Sequence, residues 1–455
     1  MIEKDQKKLS TSFEENIAYM EQVLPVKQSY DMLRRDMEIG GRQAVFYFIN
    51  GFTKDDAMTK LMEDLAKIKK EDMPTVGTQF SRKWIPYAEI NITDEFDTVF
   101  RNILSGVTIL FIECYSVCFL VDCRAYPSRS IDEPSKDKSI RGSRDGFVET
   151  IVSNTALIRR RIRDPHLIIE ITEAGQLTRT DIAVCYIEGR VNQKMLNQLK
   201  NKIQNLDIED LRMNQQSLAK ALYGKRWIDP FPKFKYTERP DTAAACLLEG
   251  KIVIFVDNSP SAMILPTSIF DMIEEANDYY FPPITAGYLK ISRALITIAT
   301  IFLTPVYLLF MQNQQWVPEM FVFSIVHEVI NIPLILQYII LEVAIDGMRL
   351  AALNTPNVLS TPLSVIAGLV MGEFAVSSGW FNSEVMLGMA VVAVANYTQS
   401  NFELGYALKF MRLLLLVLTA VFNVVGFVVG CIVVFGAIVF NKTLTGRNYM
   451  KIKLD

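Results

Sequence analysis

Histidine is scarce in this chain of 455 residues, which contains only two, His166 and His327. With so few imidazoles, a metal site built on histidine is not expected. The six cysteines occupy apolar runs and do not show the paired spacings of zinc ligands or of a disulfide framework. We therefore expect reduced, buried thiols in a reducing compartment, with no metal and no cofactor.

An excess of basic charge is also missing. The chain has 47 Lys and Arg residues against 50 Asp and Glu residues, a formal net charge of −3. A nucleic-acid partner therefore has little electrostatic support. Catalytic signatures are absent too: 141–146 (RGSRDG) superficially suggests a phosphate-binding loop, but it lacks the Gly-Lys-Ser/Thr ending and no strand leads into it. The sequence does not predict an enzyme.

No signal peptide is visible, because residues 1–9 are rich in Lys, Glu and Asp and contain no apolar core. The first 290 residues or so should therefore begin in the cytosol. The patterns predict four parts, which are a polar N-terminal arm over 1–40, a first α/β subdomain over 41–135, a second α/β subdomain over 136–285, and a transmembrane domain over 286–455 with four to six membrane segments.

The predicted fold class is an α/β cytosolic region of two small subdomains followed by an α-helical polytopic membrane domain. Residues 43–52 indicate a strand, and 54–70 have helical spacing. Two hairpins are predicted, at 107–123 and at 251–266, because apolar β-branched runs flank turn-forming residues. Helices and strands that alternate in this way favour packed α/β layers.

A dense basic patch follows the middle of the soluble region, at Arg159, Arg160, Arg161 and Arg163. Such a patch could bind phosphate or anionic lipid head groups. The alternative, which the sequence favours, is a solvated helix face whose arginines pair with carboxylates of the same chain.

Long uncharged runs are confined to the last third of the chain. Residues 294–311 contain no charge over a length that spans the hydrocarbon core of a bilayer. The other apolar stretches are 321–345, 358–378, 385–397 and 413–440.

Basic residues between these stretches orient them. Lys290 with Arg293, Arg349, and Lys409 with Arg412 indicate the cytosolic side. If each of the five apolar stretches crosses the membrane once, the C-terminal tail lies outside. The tail is basic, however, and should lie on the cytosolic side. One stretch must therefore be re-entrant or cross twice, and we expect this of 321–345, which contains Pro333, or of the short 385–397.

Carboxylates at membrane depth are costly and mark polar pathways or interior pairs. Glu373 lies in a stretch of small and β-branched residues, and we expect it to line an ion path with Val365 and Leu369 at constrictions. The alternative is an interhelical hydrogen-bond anchor. Glu328, beside His327, is a further candidate for the ion path as a proton-responsive group, or else belongs to a packing cluster.

Glu342, Asp346 and Arg349 are spaced by four and three residues, which places them on one helical face. We interpret them as an interfacial stripe of ion pairs, with a role in conduction as the alternative. The membrane part shows no internal repeat, which disfavours a secondary transporter.

Several stretches resemble the GerA family of bacterial spore germination proteins, of the A-subunit type. The residues that carry the resemblance are 141–147 (RGSRDGF), 154–165 (NTALIRRRIRDP), 180–186 (TDIAVCY), 237–241 (TERPD) with 248–250 (LEG), and 402–412 (FELGYALKFMR). Within the family, 372–406 looks more like a sporulation-stage branch than like the nutrient-receptor A subunits.

The resemblance implies location in the inner membrane of the spore and a ring-shaped homo-oligomer that releases monovalent cations. It also implies other germination membrane proteins as partners, including a small membrane protein, and amplification of the germination signal. The alternative is a non-conducting A subunit of a nutrient germinant receptor that acts as a scaffold or signal transducer.

Overall fold

A computed structural model of the chain describes residues 7–85, 89–127, 142–206, 208–224, 229–326, 330, 332–354, 368–399, 401–444 and 449–450. It divides into two compact units. The first, here called the α/β unit, comprises Met1–Lys225 and Tyr236–Pro266. The second, the helical unit, comprises Arg226–Lys235 and Thr267–Asp455.

The first half of the α/β unit is a five-stranded antiparallel sheet in the order β1-β2-β4-β5-β3. Its elements are α1 (Phe13–Val23), β1 (Met32–Ile39), β2 (Arg42–Ile49), α2 (Asp55–Ala66), α3 (Gly77–Trp84), β3 (Ile90–Thr93), α4 (Phe96–Leu104), β4 (Thr108–Ile112) and β5 (Cys118–Val121). Successive side chains of β2 and β4 point to opposite faces of the sheet and are apolar on both. Helices cover both faces. One core joins it to α1 and α4, and the other joins it to α2 and α3.

The second half repeats this arrangement in the order β6-β7-β9-β10-β8. Its elements are α5 (Ile151–Arg161), β6 (Leu167–Ala174), β7 (Thr180–Ile187), α6 (Gln193–Gln204), α7 (Asn214–Tyr223), β8 (Lys235–Thr237), α8 (Pro240–Leu248), β9 (Ile252–Val256) and β10 (Ala262–Leu265). Helices α5 and α8 share one core with the inner residues of the strands.

Both halves have the same succession of helices and strands, and both sheets have the strand order first, second, fourth, fifth, third. Their turns correspond as well. A glycine with positive φ follows the second strand of each sheet, Gly51 at 79° and Gly189 at 80°. Another precedes the fourth strand, Gly106 at 93° and Gly250 at 81°. The α/β unit is therefore a structural duplication, which the sequence patterns did not indicate.

Residues 13–39 of the predicted polar arm over 1–40 contain a helix and a strand of the α/β unit. Helix α1 buries Ile17 and Met20 in the first core, and β1 pairs with β2 along its whole length. Strand β1 was not predicted because it is an edge strand. Its middle residues are exposed and mostly charged, so they show no apolar alternation. The two predicted hairpins are confirmed as β4–β5 and β9–β10.

The helical unit begins before the predicted boundary at residue 286, because 226–235 and 267–285 belong to it. Its elements are α9 (Ile269–Ile273), α10 (Pro283–Gln312), α11 (Leu334–Asn354), a π-helical turn (Leu369–Phe374) that continues into α12 (Ala375–Ser377), α13 (Ser383–Tyr397) and α14 (Phe402–Val439), with 3₁₀ turns at Ala276–Tyr279, Gln314–Trp316 and Glu319–Ser324. The stretch predicted at 321–345 is thus not one helix: a 3₁₀ turn and α11 share it.

Helix α14 is folded back on itself at Asn423, whose backbone has φ 51° and ψ −128°. A Cβ atom at Gly430 would lie 3.5 Å from the Cα atom of Leu415. In a straight helix these residues would be about 22 Å apart, since each residue adds about 1.5 Å. The two halves of α14 are therefore antiparallel, and Gly426 and Gly430 allow their close approach.

This reversal lies in a stretch that the sequence predicts to cross once, and not in either of the stretches expected to be re-entrant. It returns the chain to the end of the unit at which α14 began, where the backbone N–H of Ile269 donates to the carbonyl of Tyr449 at 3.1 Å. By length and composition, two helices of the described part could span a membrane, α10 and α14. The second of them is this hairpin.

Candidate functional site

Four charged side chains meet inside the helical unit, where α11 packs against the first half of α14. Glu342 and Asp346 are four residues apart on α11, and Lys409 and Arg412 are three apart on α14, so each pair projects from one helical face. Asn401 positions α14, because its side chain accepts a hydrogen bond from the N–H of Leu404 at 3.0 Å.

Arg412 is fully buried, and Glu342 is only 4% exposed. Arg412 Nε donates to Glu342 Oε1 at 2.8 Å, and its Nη1 donates to the carbonyl of Thr300 on α10 at 3.1 Å. Lys409 Nζ lies 3.3 Å from Glu342 Oε2 and also pairs with Asp346. We call these four residues the charge cluster; its two carboxylates and two cations balance, so it ties three helices together without a net charge.

Arg349 does not join the charge cluster as the predicted stripe implied. Its guanidinium lies over the rings of Tyr397 on α13 and Tyr406 on α14, at 5.4 and 5.5 Å from their centroids. Glu342 and Asp346 do share a face, as expected, but their cations come from another helix. The sequence analysis used Lys409 and Arg412 only to orient the helices, although their spacing of three residues also places them on one helical face.

Paired amides join helices away from the charge cluster. Asn313, which follows α10, donates to Asn423 Oδ1 at 2.6 Å, and Asn423 donates back at 3.3 Å. Gln337 of α11 donates to Asn382 Oδ1 at 2.8 Å and accepts from the Asn382 N–H at 3.0 Å. These bonds satisfy polar groups that would be costly in an apolar environment.

The candidate ion-path residues are only partly described. Glu373 lies in the π-helical turn and is exposed. Leu369 begins the same turn. Val365 and Glu328 lie outside the described residues. The helical unit therefore contains two kinds of acid. Glu342 and Asp346 are neutralised in the charge cluster, whereas Glu373 is exposed.

The predicted basic patch is not one surface. Arg159 is fully buried and binds Asp31, with Nε 2.7 Å from Oδ2 and Nη2 3.1 Å from Oδ1. Arg161 pairs with Asp145 at 2.7 Å. Arg160 and Arg163 are exposed. Carboxylate partners within the chain thus account for Arg159 and Arg161, although Arg159 is buried and not solvated.

The Arg159–Asp31 pair joins the two halves of the α/β unit, and we call it the inter-sheet joint. Arg159 Nη2 also donates to the carbonyl of Leu167 at 2.9 Å. Next to it, the hydroxyls of Tyr30 and Thr155 are 2.5 Å apart, and burial raises the pKa of Tyr30. Both halves are thereby fixed against each other by fully satisfied polar groups.

No group of three or more His, Cys, Asp or Glu side chains in the described part of the chain could hold a metal ion. Among the cysteines, Cys114 is exposed, which corrects the expectation that all are buried. Burial raises the pKa of Cys118 and Cys185 well above the usual value, so these two thiols are unreactive.

Comparison with known proteins gives a consistent result. Residues 19–454 match the family model described as Bacillus/Clostridium GerA spore germination protein. The chain is 33% identical over 431 residues to stage V sporulation protein AF of Bacillus subtilis, covering 94% of this chain and 87% of that protein. It is 27% identical over 434 residues to spore germination protein KA of the same organism, covering 94% of this chain and 79% of that one.

Among solved structures, the crystal structure of the N-terminal domain of the A subunit of the Bacillus megaterium spore germinant receptor GerK3 matches with a TM-score of 0.44 at 25% identity. The match covers 58% of this chain and 98% of that domain. The two relatives named above are a sporulation protein and a spore germination protein. This chain belongs to the GerA family of spore germination proteins.

Proposed function

We propose that this chain is a membrane subunit of a spore germination complex, in which several copies surround a path for monovalent cations and so amplify germinant signalling. The α/β unit faces the cytosol, and the helical unit lies in the inner membrane of the spore. Other germination membrane proteins, including a small membrane protein, are its expected partners.

The observation that carries this proposal is the contrast between Glu373 and the charge cluster. The carboxylates of Glu342 and Asp346 are neutralised inside the unit and serve packing. Glu373 is exposed, in a turn with π-helical geometry. A carboxylate does not face hydrocarbon at acceptable cost, so Glu373 requires water or a neighbouring subunit. Several copies around an axis would supply a ring of carboxylates that favours cations.

The test is cation flux through the purified full-length protein in proteoliposomes. We expect Glu373→Gln to lower potassium flux about tenfold or more and Glu373→Lys to abolish cation selectivity. Glu319→Gln is the matched control, because Glu319 is an exposed acid of the same unit in a 3₁₀ turn that follows α10. Wild-type flux from the Glu373 variants would overturn the assignment of the path.

The second candidate function is a non-conducting scaffold, in which Glu373 holds a neighbouring subunit. It is favoured by the same exposure, since a hydrogen bond to another chain would also satisfy the carboxylate. It predicts that Glu373→Gln reduces the amount of assembled complex on native gels, whereas flux per assembled complex is unchanged.

A further inference from the structure

The two halves of the α/β unit correspond residue by residue in their first helices. Helices α1 and α5 each contain 11 residues. The fourth residue of each is an asparagine that binds the backbone before the helix, Asn16 to Ser10 with two bonds of 2.8 Å, and Asn154 to Val148 at 2.8 and 2.5 Å. Position along the helix therefore identifies counterparts. They include Glu14 and Val152, Ala18 and Ala156, and Glu21 and Arg159.

The loops and strands that follow these helices correspond as well. The N–H of Met32, the first residue of β1, donates to the carbonyl of Ser29 at 3.2 Å. The N–H of Leu167, the first residue of β6, donates to the carbonyl of Asp164 at 3.1 Å. By the same positions in the chain, the further counterparts are residues 29–31 and 164–166, Arg34 and Ile169, and Phe52 and Arg190.

Inside the chain, the first half meets the second half through an interface that we call the internal contact. Its loop side comes from the first half and consists of residues 29–31 with Gly51 and Phe52. Its helix side comes from the second half and consists of α5 with the edge of β6. Besides the inter-sheet joint, the N–H of Tyr30 donates to the carbonyl of Ile169 at 3.0 Å.

The second half has a loop side of its own, which is exposed. A Cβ atom at Gly51 would lie 3.2 Å from the Cβ atom of Ala156, whereas no described atom lies within 4 Å of one at Gly189. Phe52 is fully buried in a cluster with Ala156, whereas its counterpart Arg190 is exposed. The surface that the first half uses to bind α5 is therefore repeated, and free, on the second half.

The first half likewise has a free helix side. Glu14 and Ala18 are exposed on α1, although their counterparts on α5 contact Gly51. Strand β1 lies at the edge of its sheet, and Arg34 is exposed there, whereas its counterpart Ile169 is buried and bonded to the loop side. Each copy of the chain thus has one unused loop side and one unused helix side.

The free surfaces also carry complementary charges. The Cβ position of Gly51 lies 3.1 Å from Cγ1 of Val152, so the corresponding contact would bring Glu14 beside Gly189 and Arg190. Glu14 forms no ion pair with the described residues. An acid on the helix side and a cation on the loop side attract each other across such a contact.

The inter-sheet joint has counterparts of exchanged sign. Its acid, Asp31, lies in the loop and corresponds to His166, whereas its cation, Arg159, corresponds to Glu21. These two side chains already have partners in the chain, since His166 binds Asp164 and Glu21 binds Lys27 and Arg34. Glu14 and Arg190 should therefore supply the main attraction.

One hydrogen bond of the internal contact cannot be repeated. Pro165 corresponds to Tyr30 and has no N–H to donate to the edge of β1. A contact between the two free surfaces is therefore weaker than the internal one, as is expected of separate chains that assemble reversibly.

We propose that copies of this chain associate head to tail through their α/β units, with residues 164–166, Gly189 and Arg190 of one copy against α1 and the edge of β1 of the next. The inference rests on the proposed assembly of several copies and names the surfaces they share. The contact joins two different surfaces, so every copy keeps one of them for a further copy, and a ring forms when the rotation closes. A ring of more than two copies requires a contact of this kind.

The test is disulfide cross-linking between two variants of the full-length protein that are mixed before reconstitution in proteoliposomes, with Cys114→Ser and Cys431→Ala as the background. Ala18→Cys and Arg190→Cys should cross-link to each other under mild oxidation, because their counterparts Ala156 and Phe52 pack together. Neither variant alone should form dimers, since a head-to-tail contact brings unlike positions together.

The matched control replaces Ala18→Cys with Thr59→Cys. Thr59 is exposed on α2, which packs against the opposite face of the same sheet. It should not cross-link to Arg190→Cys.

A charge exchange measures affinity in place of proximity. Glu14→Arg or Arg190→Glu alone should raise the dissociation constant of assembly about fivefold, since a weak attraction becomes a repulsion. The two changes together should restore assembly. Arg190 also donates to the carbonyl of Leu248 at 2.7 Å, and a role confined to that bond would leave the double variant as weak as Arg190→Glu.

The outcomes separate this inference from the proposed function. If mass photometry of the detergent-solubilised protein finds oligomers, but Ala18→Cys cross-links no better than Thr59→Cys, the head-to-tail contact is wrong while assembly stands. Dimers formed by either single-cysteine variant alone would also overturn it, because they indicate a two-fold contact. A protein that is monomeric at every concentration would overturn the assembly and this contact together.

Discussion

The α/β unit and the helical unit both bury an arginine completely, and they compensate it differently. In the α/β unit, Arg159 binds one carboxylate, Asp31, and completes its hydrogen bonds with backbone carbonyls. In the helical unit, Arg412 shares its carboxylate with Lys409, and a second acid restores the balance of charge.

Under the proposed function, the difference follows from what surrounds each unit, which is water for the α/β unit and lipid for the helical unit. Around a unit that faces water, a buried ion that loses its partner can regain hydration through a small opening of the structure. Among helices within a bilayer, no water is at hand, so an unmatched charge keeps its full cost. The charge cluster accordingly contains two cations and two carboxylates that share their contacts, whereas the inter-sheet joint contains one cation and one carboxylate.

The largest effect is expected for Arg412→Met, which leaves Glu342 without its closest partner. Breaking a buried ion pair costs about 3–5 kcal/mol, and in the helical unit we expect the upper end of this range. Thermal unfolding followed by size-exclusion chromatography should show loss of the folded protein. The double variant Arg412→Met with Glu342→Gln should recover most of it, and no recovery would contradict a role based on charge balance.

The same change in the α/β unit, Arg159→Met, should cost about 3 kcal/mol. The side chain of Asp31 is 2% exposed, so it would be left buried and unpaired. Asp31→Asn added to Arg159→Met should restore part of the loss. Urea unfolding measures both, and Arg163→Met, at an exposed position, is the control that should leave the midpoint unchanged. A larger loss for Arg159→Met than for Arg412→Met would break the comparison drawn above.

A smaller effect is expected at the reversal of α14. Asn423→Leu places a bulky side chain at φ 51° and removes the amide pair with Asn313. Strain at a positive φ costs about 1–3 kcal/mol, so the melting temperature should fall. Asn423→Gly removes the same amide but relieves the strain, so its melting temperature should fall less. Equal losses for the two variants would indicate that only the amide pair matters.

The smallest effect concerns pH and the α/β unit alone. The hydrogen bond from Arg124 holds the pKa of Asp122 below its usual value. Its stabilisation is therefore present above about pH 4, the unfolded value, and is lost as pH falls further. Because the pair is partly solvated, its contribution is at most about 1 kcal/mol.

In Asp122→Asn, the free energy of unfolding should accordingly decrease less as the pH falls below about 4. Asp181→Asn is a control of opposite sign, since burial, Glu173 and Asp257 raise the pKa of Asp181. Removing that charge should be neutral or stabilising at pH 7. A loss of stability at neutral pH for Asp181→Asn would contradict the sign of its pKa shift.

Local signals in the sequence were sufficient for much of the fold. The two hairpins and the alternation of helices and strands were predicted because buried strands such as β4 and β9 are uninterrupted apolar runs. Strand β1 was missed because an exposed edge strand has no such run. The duplication was missed because the two halves share strand order and turn geometry. A pattern of residue types reports neither of these.

The candidate site was predicted less well, and the reason is physical. Spacing along a helix places Glu342 and Asp346 on one face, but it does not say which helix supplies their cations. Arg349 satisfied the spacing and lies instead over two tyrosine rings. The reversal at Asn423 was hidden in an uninterrupted apolar run, since an asparagine between Phe422 and Val424 gives no turn signal as strong as Gly or Pro.

Under the membrane placement proposed above, that reversal also bears on how the chain is inserted during synthesis. Between Arg412 and Lys442 there is no charged residue, so the two halves of α14 can be inserted together as a pair that has already formed. Only the amide of Asn423 has to be carried to the far side, where the amide of Asn313 receives it. The insertion machinery therefore delivers this last apolar run without translocating a single charge.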